Sequence, residues 1–284
     1  MNTVQNNRQE NYSTSLSGVE LYVDYINERL KIINYSCIST EIINEIVSYA
    51  RQKKLGKIIS NCPERLLTPF MDCDFVIEGN IDSFFHGEDA TCISYFLDRR
   101  RNKSVHENEE NRIIEYCVHD AKEFTSIENK NYKVRRAVQT DIPQMIKLFS
   151  AVFETYPSPV FSRDYLQKVM HEQVLFMVAE EKGKIISIAS ADMDKYYMNA
   201  EITDCATYSG YRGRNILSEL IYRLEAELKH TGFVTAYSLS RAKNIGINKS
   251  LSKLGYRYRG RLANNCHICG GYEDMNIWVK ILSK

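Results

Sequence analysis

The sequence predicts a mixed α/β (α+β) fold, and three observations predict it. Through the second half of the chain, β-rich runs alternate with amphipathic helical runs. Glycines and prolines such as Pro143, Gly183, Gly232 and Gly255 punctuate the starts and ends of those runs. Between Glu201 and Phe233 a strand, a tight basic turn and a long helix follow one another without a break. The 284 residues are 44% hydrophobic, enough to bury a core, and Lys plus Arg at 37 against Asp plus Glu at 36 leave a net charge of +1. That balance argues against a nucleic-acid or membrane-surface partner and for a small-molecule one.

In chain order, residues 1–18 are polar, without the apolar core of a signal peptide, and are expected to be disordered. A helix is predicted over Thr40–Lys54 with Ile42, Ile43, Ile46 and Val47 on one face, stopped by Gly56. The strand Lys57–Ser60 and a short helix over Glu64–Phe70 follow, then two strands around Gly87. Residues 99–131, with the charged run Arg99–Arg112, read as a linker region holding a short strand near Ile113–Val118.

From Tyr132 the punctuation sharpens. A strand over Lys133–Ala137 precedes a helix capped by Thr140 or Asp141, with Pro143 in its first turn and Ile142, Met145, Ile146, Phe149 and Phe153 as its apolar face. A second helix spans 162–172, and two strands joined at Lys182-Gly183 lead into the strand Glu201–Thr207. The helix after it carries Ile216, Leu217, Leu220, Ile221, Leu224 and Leu228 until Gly232. A strand over Val234–Leu239, a helix over Asn244–Leu254 stopped by Gly255, and strands over Tyr256–Leu262 and Asp274–Leu282 complete the chain.

Tyr211-Arg212-Gly213-Arg214-Asn215 joins the strand at 201–207 to its helix. A helix N-terminus offers unpaired N–H groups and partial positive charge, and Gly213 and Asn215 tolerate the left-handed backbone that lets a pyrophosphate approach them. The turn resembles the Q/R-x-x-G-x-G/A motif of the GCN5-related N-acetyltransferases (GNAT superfamily). Arg212 matches its first position, whereas Asn215 and Leu217 stand at its glycine positions. The order strand, two helices, three strands, helix, strand, helix, two strands is also the GNAT order, and VRRAVQTDIPQM and NKSLSKLGYRYRG are similar to the family's opening and closing stretches.

The resemblance implies a C-terminal GNAT acyl-CoA N-acyltransferase fold over 132–284 with acetyl-CoA as cosubstrate and no metal. Arg212, Gly213, Arg214, Asn215, Ile216, Leu217 and Ser218 would hold the pyrophosphate, and Asn244 would lie near the coenzyme arm or simply cap its helix. Cys205 and Thr207 would pair with the pantetheine, the Thr207 N–H polarising the acetyl carbonyl. Glu201 resembles the family's glutamate base, with Asp204 as competitor. Strand alternation puts Glu201, Thr203, Cys205 and Thr207 on one face and Asp204 on the other. Whether the carboxylate deprotonates the amine or only binds it stays open. The position of the family's thiolate-protonating tyrosine is Leu251, so either another tyrosine serves, with Tyr156, Tyr237 and Tyr258 as candidates, or solvent protonates the thiolate; Tyr237 joins Glu201 and Thr207 in the catalytic set. Cys266-His267-Ile268-Cys269 has no second pair at ligand spacing and reads as a packed hairpin.

The first half repeats part of this plan. DFVIEGNIDSFFHGEDATCISYFL sits beside YRYRGRLANNCHICGGYEDMNIWVKIL with Gly79 against Gly260 and Glu88-Asp89 against Glu273-Asp274. Residues 19–98 are therefore expected to form a truncated GNAT-like half-domain without the phosphate turn.

FETYPSPVF, YSLSRAKNIGINKSLSKLGY and GRLANNCHICGGYEDMNIWVK resemble one branch of the family, the β-lysine Nε-acetyltransferases. The acceptor implied is a diamino acid, (3S)-3,6-diaminohexanoate, acetylated to a compatible solute for salt stress, with a lysine 2,3-aminomutase as pathway partner. Glu154, Glu273 and Asp274 could meet its amines, Asn264, Asn265, Arg241 or Arg261 its carboxylate, and Tyr156 lies in the same matched segments. Another amine acceptor, such as lysine, a polyamine or a protein N-terminus, and a non-catalytic acetyl-CoA sensor are the alternatives. Eight cysteines without a disulfide framework suggest reduced thiols and a cytoplasmic protein. No apolar run approaches the ~18 residues of a membrane helix, and the oligomeric state is open.

Overall fold

The computed structural model describes residues 10–119, 122–126 and 131–282. The chain divides into two compact units, Met1–Glu78 with Thr91–Lys103, and Gly79–Ala90 with Ser104–Lys284.

In the first unit β1 (Tyr12–Leu16), β2 (Val19–Asp24) and β3 (Arg29–Asn34) form an antiparallel meander, and α1 (Thr40–Gln52) crosses to β4 (Lys57–Pro63), which pairs parallel to β3. Ser39 caps α1 by accepting from the Ile42 N–H, and Ile43, Ile46, Val47 and Ala50 face the core. After the short α2 (Thr68–Met71) come β5 (Val76–Phe85) and β6 (Glu88–Phe96), whose turn residues Gly79–Ala90 count with the second unit. The expectation of disorder through residue 18 is corrected. Ser17 and Gly18 both take positive φ and close a tight hairpin between β1 and β2, so the polar strand pairs along its backbone while Val19, Leu21 and Val23 fill the core. Residues 1–9 lie outside the described residues.

The linker reading of 99–131 is corrected too. Glu107–His119 is a helix, α3, not a short strand, and it belongs to the second unit. Cys117 is buried in the core, and the Cys117 carbonyl accepts from Ser252 Oγ at 2.5 Å. The high charge density of the run reflects its solvent face. Residues 120–121 and 127–130 of the supposed linker lie outside the described residues.

The second unit continues with β7 (Lys133–Arg136), α4 (Ile142–Val152), α5 (Arg163–Glu172), β8 (Val174–Glu181), β9 (Lys184–Asp194), β10 (Asn199–Thr207), α6 (Ile216–His230), β11 (Thr235–Arg241), α7 (Ile245–Lys253), β12 (Arg257–Ile268) and β13 (Gly271–Ile281). Its sheet runs β12-β13-β11-β10-β9-β8-β7. One face packs on α4 and α5 through Ile142, Met145, Leu148, Phe149 and Leu166. The other packs on α6, α7 and α3 through Leu220, Ile221, Leu224, Leu251, Cys117 and Trp278. Gly260 of β12 pairs with Gly79, where an added Cβ would stand 2.6 Å from the Arg259 carbonyl oxygen and 2.9 Å from Gly260 Cα. The tip after Gly79 is fastened by Asn199 Nδ2 donating to the Phe84 carbonyl at 2.8 Å and Thr235 Oγ1 donating to the Asp82 carbonyl at 3.2 Å. Among the described residues no helix is long and apolar enough to cross a membrane.

Candidate active site

β10 and β11 run parallel and pair only at Asn199–Thr235, Ala200–Ala236 and Glu201–Tyr237. Beyond that rung β10 continues to Thr207 beside β9, and β11 continues to Arg241 beside β13. The two strands therefore part into a V at the centre of the sheet. Their inner edges carry backbone N–H and C=O groups without a neighbouring strand, a template for an extended ligand with amide groups of its own.

A bulge shapes one wall of the V. The β10–β9 register shifts between Thr203 and Ala206, and Asp204 sits at φ 48°. One extra residue reverses the alternation beyond it. Ala200 and Ile202 belong to the α6-side core, yet Cys205 packs on that core as well, while Ala206 joins the core of α4 and α5. The predicted faces are corrected accordingly: Cys205 and Thr207 share the α6 face, and Asp204 stands with Glu201 and Thr203 on the α4–α5 face. The Thr207 hydroxyl is 2.7 Å from Ser187 Oγ, and burial pushes the Cys205 thiol well up.

On the α4–α5 face, Glu201 pairs with Asp192 across β9 and with Tyr237 across β11. Directly opposed carboxylates cost stability in a sheet, and Gln173 Nε2 donates to Asp192 Oδ1 at 2.8 Å. Phe84, Glu172, Gln173, Asp192, Glu201 and Tyr237 line a cleft of ≈ 500 Å³, with the Phe84 ring 5.6 Å from that of Tyr237. Next along β10, Ser190 Oγ donates to Asp204 at 3.0 Å, and Tyr156 hydrogen-bonds to Thr203 and Asp204. Burial pushes the Asp204 carboxyl up to about 6 against the pull of those hydrogen bonds, and Asp192 adds to the rise. Burial and the Asp204 charge also hold the Tyr156 hydroxyl well above its usual range. At the end of β11, Arg241 and Glu273 form an ion pair at 2.6 Å. The Thr155 carbonyl and hydroxyl accept from the Cys269 and Gly270 N–H groups, fastening the loop that carries Tyr156 to the β12–β13 turn.

The turn before α6 gathers Arg212, Gly213, Arg214, Asn215, Ile216, Leu217 and Ser218 in one place. Gly213 and Asn215 take φ 78° and 55°, leaving the first N–H groups of α6 directed out of the turn. Arg212, Gly213, Arg214 and Asn215 are exposed, whereas Leu217 packs its side chain on the core, away from that opening. Lys253 of α7 adds a charge that sequence reading missed, its Nζ donating to Asn215 Oδ1 at 3.2 Å. Its separation along the chain concealed it.

Asn244 caps α7 by accepting from the Gly246 N–H at 3.0 Å. A second asparagine, Asn248, also escaped sequence reading. It is fully buried, its Oδ1 accepting from Ser240, Asn276 and Trp278 and its Nδ2 donating to the Arg241 and Asn244 carbonyls, so it holds α7 against the V.

Not every candidate converges. Leu251 is fully buried in the core, and Tyr258 lies on the α6–α7 face against Trp278. Glu154 is exposed just after α4. Asn264 and Asn265 lie where β12 loses its pairing with β13: Asn264 donates its N–H to Asp274 Oδ1, and Asn265 is buried beside Cys266. Arg261 faces Asn276 and Asn111 on the opposite side of the sheet from Arg241, and Asp274 sits there with Glu110, whose carboxyl burial raises to about 7. Among the described residues no group of three or more His, Cys, Asp or Glu could hold a metal ion.

The acetyltransferase (GNAT) family model matches residues 142–256. A β-lysine N(6)-acetyltransferase of Methanosarcina mazei is 38% identical over 263 residues, covering 85% of this chain and 97% of that protein. The N-acetyltransferase YodP of Bacillus subtilis is 33% identical, covering 95% and 99%. A β-lysine N(6)-acetyltransferase of Methanococcus maripaludis is 29% identical, covering 92% and 95%.

Proposed function

Because the chain belongs to the acetyltransferase (GNAT) family, we propose that it transfers acetyl to the ε-amine of (3S)-3,6-diaminohexanoate, β-lysine, giving the 6-acetamido product. The chain is an acetyl-CoA-dependent N-acetyltransferase acting on a small molecule. The acceptor reading is supported by two relatives that bear that name over nearly their whole length. The observation that carries it is the α4–α5 face of the V, which sets carboxylates at Glu201, Asp192 and Asp204 apart from a guanidinium at Arg241. A diamino acid needs both signs.

The bulged edge of β10 and the open turn before α6 fit acetyl-CoA. When bound there it supplies an acyl thioester. Cys205 and Thr207 would pair with its amide arm. The Thr207 N–H, expected on the acetyl carbonyl, stands six residues and about 20 Å along β10 from the Glu201 rung and beside the turn before α6, where Arg212 Nε donates to the Thr207 carbonyl, so it borders the arm instead. Arg212, Arg214 and the first N–H groups of α6 would take the pyrophosphate, and Asn244 would border the arm. Glu201 accepts the proton of the incoming ammonium directly or through water, and Asp204 is the competing base. The freed amine forms the N–C bond as the C–S bond breaks. Tyr237, at the apex of the V, protonates the departing thiolate in place of the buried Leu251. Glu154, Tyr156, Asn264 and Asn265 are the further acceptor contacts in this reading.

Residues 19–98 read as a truncated GNAT-like half-domain, supported by the order α1-β4-α2-β5-β6, which parallels α6-β11-α7-β12-β13. Acetylation removes one positive charge from the acceptor and leaves a net-neutral solute, suited to accumulation in the cytoplasm under salt stress. A lysine 2,3-aminomutase would supply the acceptor. The test is coenzyme A thiol release with β-lysine, α-lysine, ornithine and spermidine. Release highest with β-lysine supports the reading, release only with another amine discards the acceptor, and acetyl-CoA binding without release from any amine favours a sensor.

A further inference from the structure

Arg241 Nε and Glu273 Oε2 are buried polar atoms with no hydrogen-bond partner among the described residues. They belong to one ion pair, joined through Arg241 Nη2 and Glu273 Oε1 at 2.6 Å. Buried polar atoms are nearly always satisfied, and leaving a charged group half-satisfied is costly. A pair in which the cation keeps a spare donor and the anion keeps a spare acceptor is part of a larger network. The missing group must accept from a guanidinium and donate to a carboxylate. A zwitterion does both.

The position of the pair agrees. Arg241 ends β11, about 13 Å beyond Tyr237 at ~3.3 Å per residue, on the same face as the Glu201 rung. Arg241 Nη1 lies 3.9 Å from the Sγ of Cys269, whose N–H donates to the Thr155 carbonyl. An extended six-carbon acceptor whose ε-amine lies in the V would direct its head group this way. The other charged candidates stand on the opposite face of the sheet: Arg261 bonds to Asn276 and Asn111, and Asp274, whose Oδ2 is also unpartnered among the described residues, accepts the Asn264 N–H and lies beside Glu110.

We propose that Arg241 and Glu273 clamp the head of the acceptor, the guanidinium taking its carboxylate and Glu273 its 3-ammonium. The proposal rests on the β-lysine reading given above. The pair thereby makes the enzyme selective for an amino acid over a simple diamine, through charge-assisted hydrogen bonds at two separate points.

Two trimmed acceptors separate the two contacts. 6-Aminohexanoate lacks the 3-amino group, and 1,4-diaminopentane lacks the carboxylate. Arg241→Met should lower kcat/KM about 30-fold for β-lysine and 6-aminohexanoate, leaving 1,4-diaminopentane within about twofold. Glu273→Gln should show the reverse pattern, sparing 6-aminohexanoate. The KM for acetyl-CoA should stay at the wild-type value in both, which also reports an intact fold. If a single substitution leaves a lone charge that prevents folding, the double variant R241M/E273Q removes both charges and should lose the preference of β-lysine over both trimmed acceptors. Equal losses for all three acceptors, or a preference kept by the double variant, would overturn the clamp. Failure of the wild-type enzyme with β-lysine is a different result: it refutes the acceptor reading, and the clamp is then judged on carboxylate-bearing and carboxylate-free forms of the amine that is used.

Discussion

Glu201 of β10 and Tyr237 of β11 form the last paired rung before the two strands part, and both side chains stand on the face opposite α6. The rung puts a carboxylate and a phenol at the apex of the V, where an amine would meet the thioester. Glu201→Gln should therefore lower kcat about 100-fold with little change in the KM for acetyl-CoA, and should remove the acidic limb of the kcat/KM profile. Tyr237→Phe should cost less, since solvent can protonate a thiolate. Initial-rate measurements over pH 5–9 decide, and an unaltered profile in the Gln variant would leave Glu201 no role as a base.

Asp204 gives a prediction in the opposite direction for stability. Its carboxyl is raised from 3.8 to about 6 by burial, so the folded state holds this proton more tightly than the unfolded state does. The ionised form then weakens the fold progressively as pH rises between about 4 and 6, by at most ~3 kcal/mol. Asp204→Asn keeps the shape and removes that cost. It should raise Tm above pH 6, leave it unchanged near pH 4, and reduce turnover if Asp204 shares the proton transfer. A Tm difference independent of pH would contradict the burial argument.

At the turn before α6, Asn215 occupies the left-handed region where the family motif places glycine. Asn215→Gly should be tolerated, whereas Asn215→Val forces a branched side chain into that backbone at about 1–2 kcal/mol and should weaken acetyl-CoA binding. The double variant R212A/R214A should raise the dissociation constant for acetyl-CoA about tenfold, as loss of exposed phosphate contacts, without altering the KM of the acceptor. Calorimetric titration of each variant tests both statements.

Gly79 and Gly260 allow two backbones to approach so closely that no Cβ fits between them. Gly79→Ala would set its Cβ 2.7 Å from Ile277 Cδ1 and closer still to the Arg259 carbonyl oxygen. The expected cost is about 1–3 kcal/mol of overpacking, seen as a lower Tm. Because the same hairpin carries Phe84 to Tyr237, the KM for the acceptor should rise with it.

These residues also mark how much was legible in the sequence. Helix faces and stops could be read because Pro143, Gly232 and Gly255 punctuate them, and because the spacing of Ile216, Leu220 and Leu224 allows little else. The meander at 12–34 was hidden by a mostly polar first strand, which pairs along its backbone and packs only its end residues Tyr12 and Leu16 on the core. α3 was hidden by charges on its outer face, with little more than Ile113, Ile114 and Cys117 turned inward. The position of Asp204 could not be derived from alternation, since alternation assumes a regular strand and a bulge adds one residue without a composition signal. Arg241 and Glu273 were separate candidates whose pairing depends on contacts 32 residues apart.

The most direct test of the central claim is the product formed when β-lysine and α-lysine compete at equal concentration for carbonyl-labelled acetyl-CoA, read by carbon NMR. One labelled species is expected, β-lysine acetylated at N6, with its 3-amino group free. Label on the 3-amino group, or chiefly on α-lysine, would contradict it.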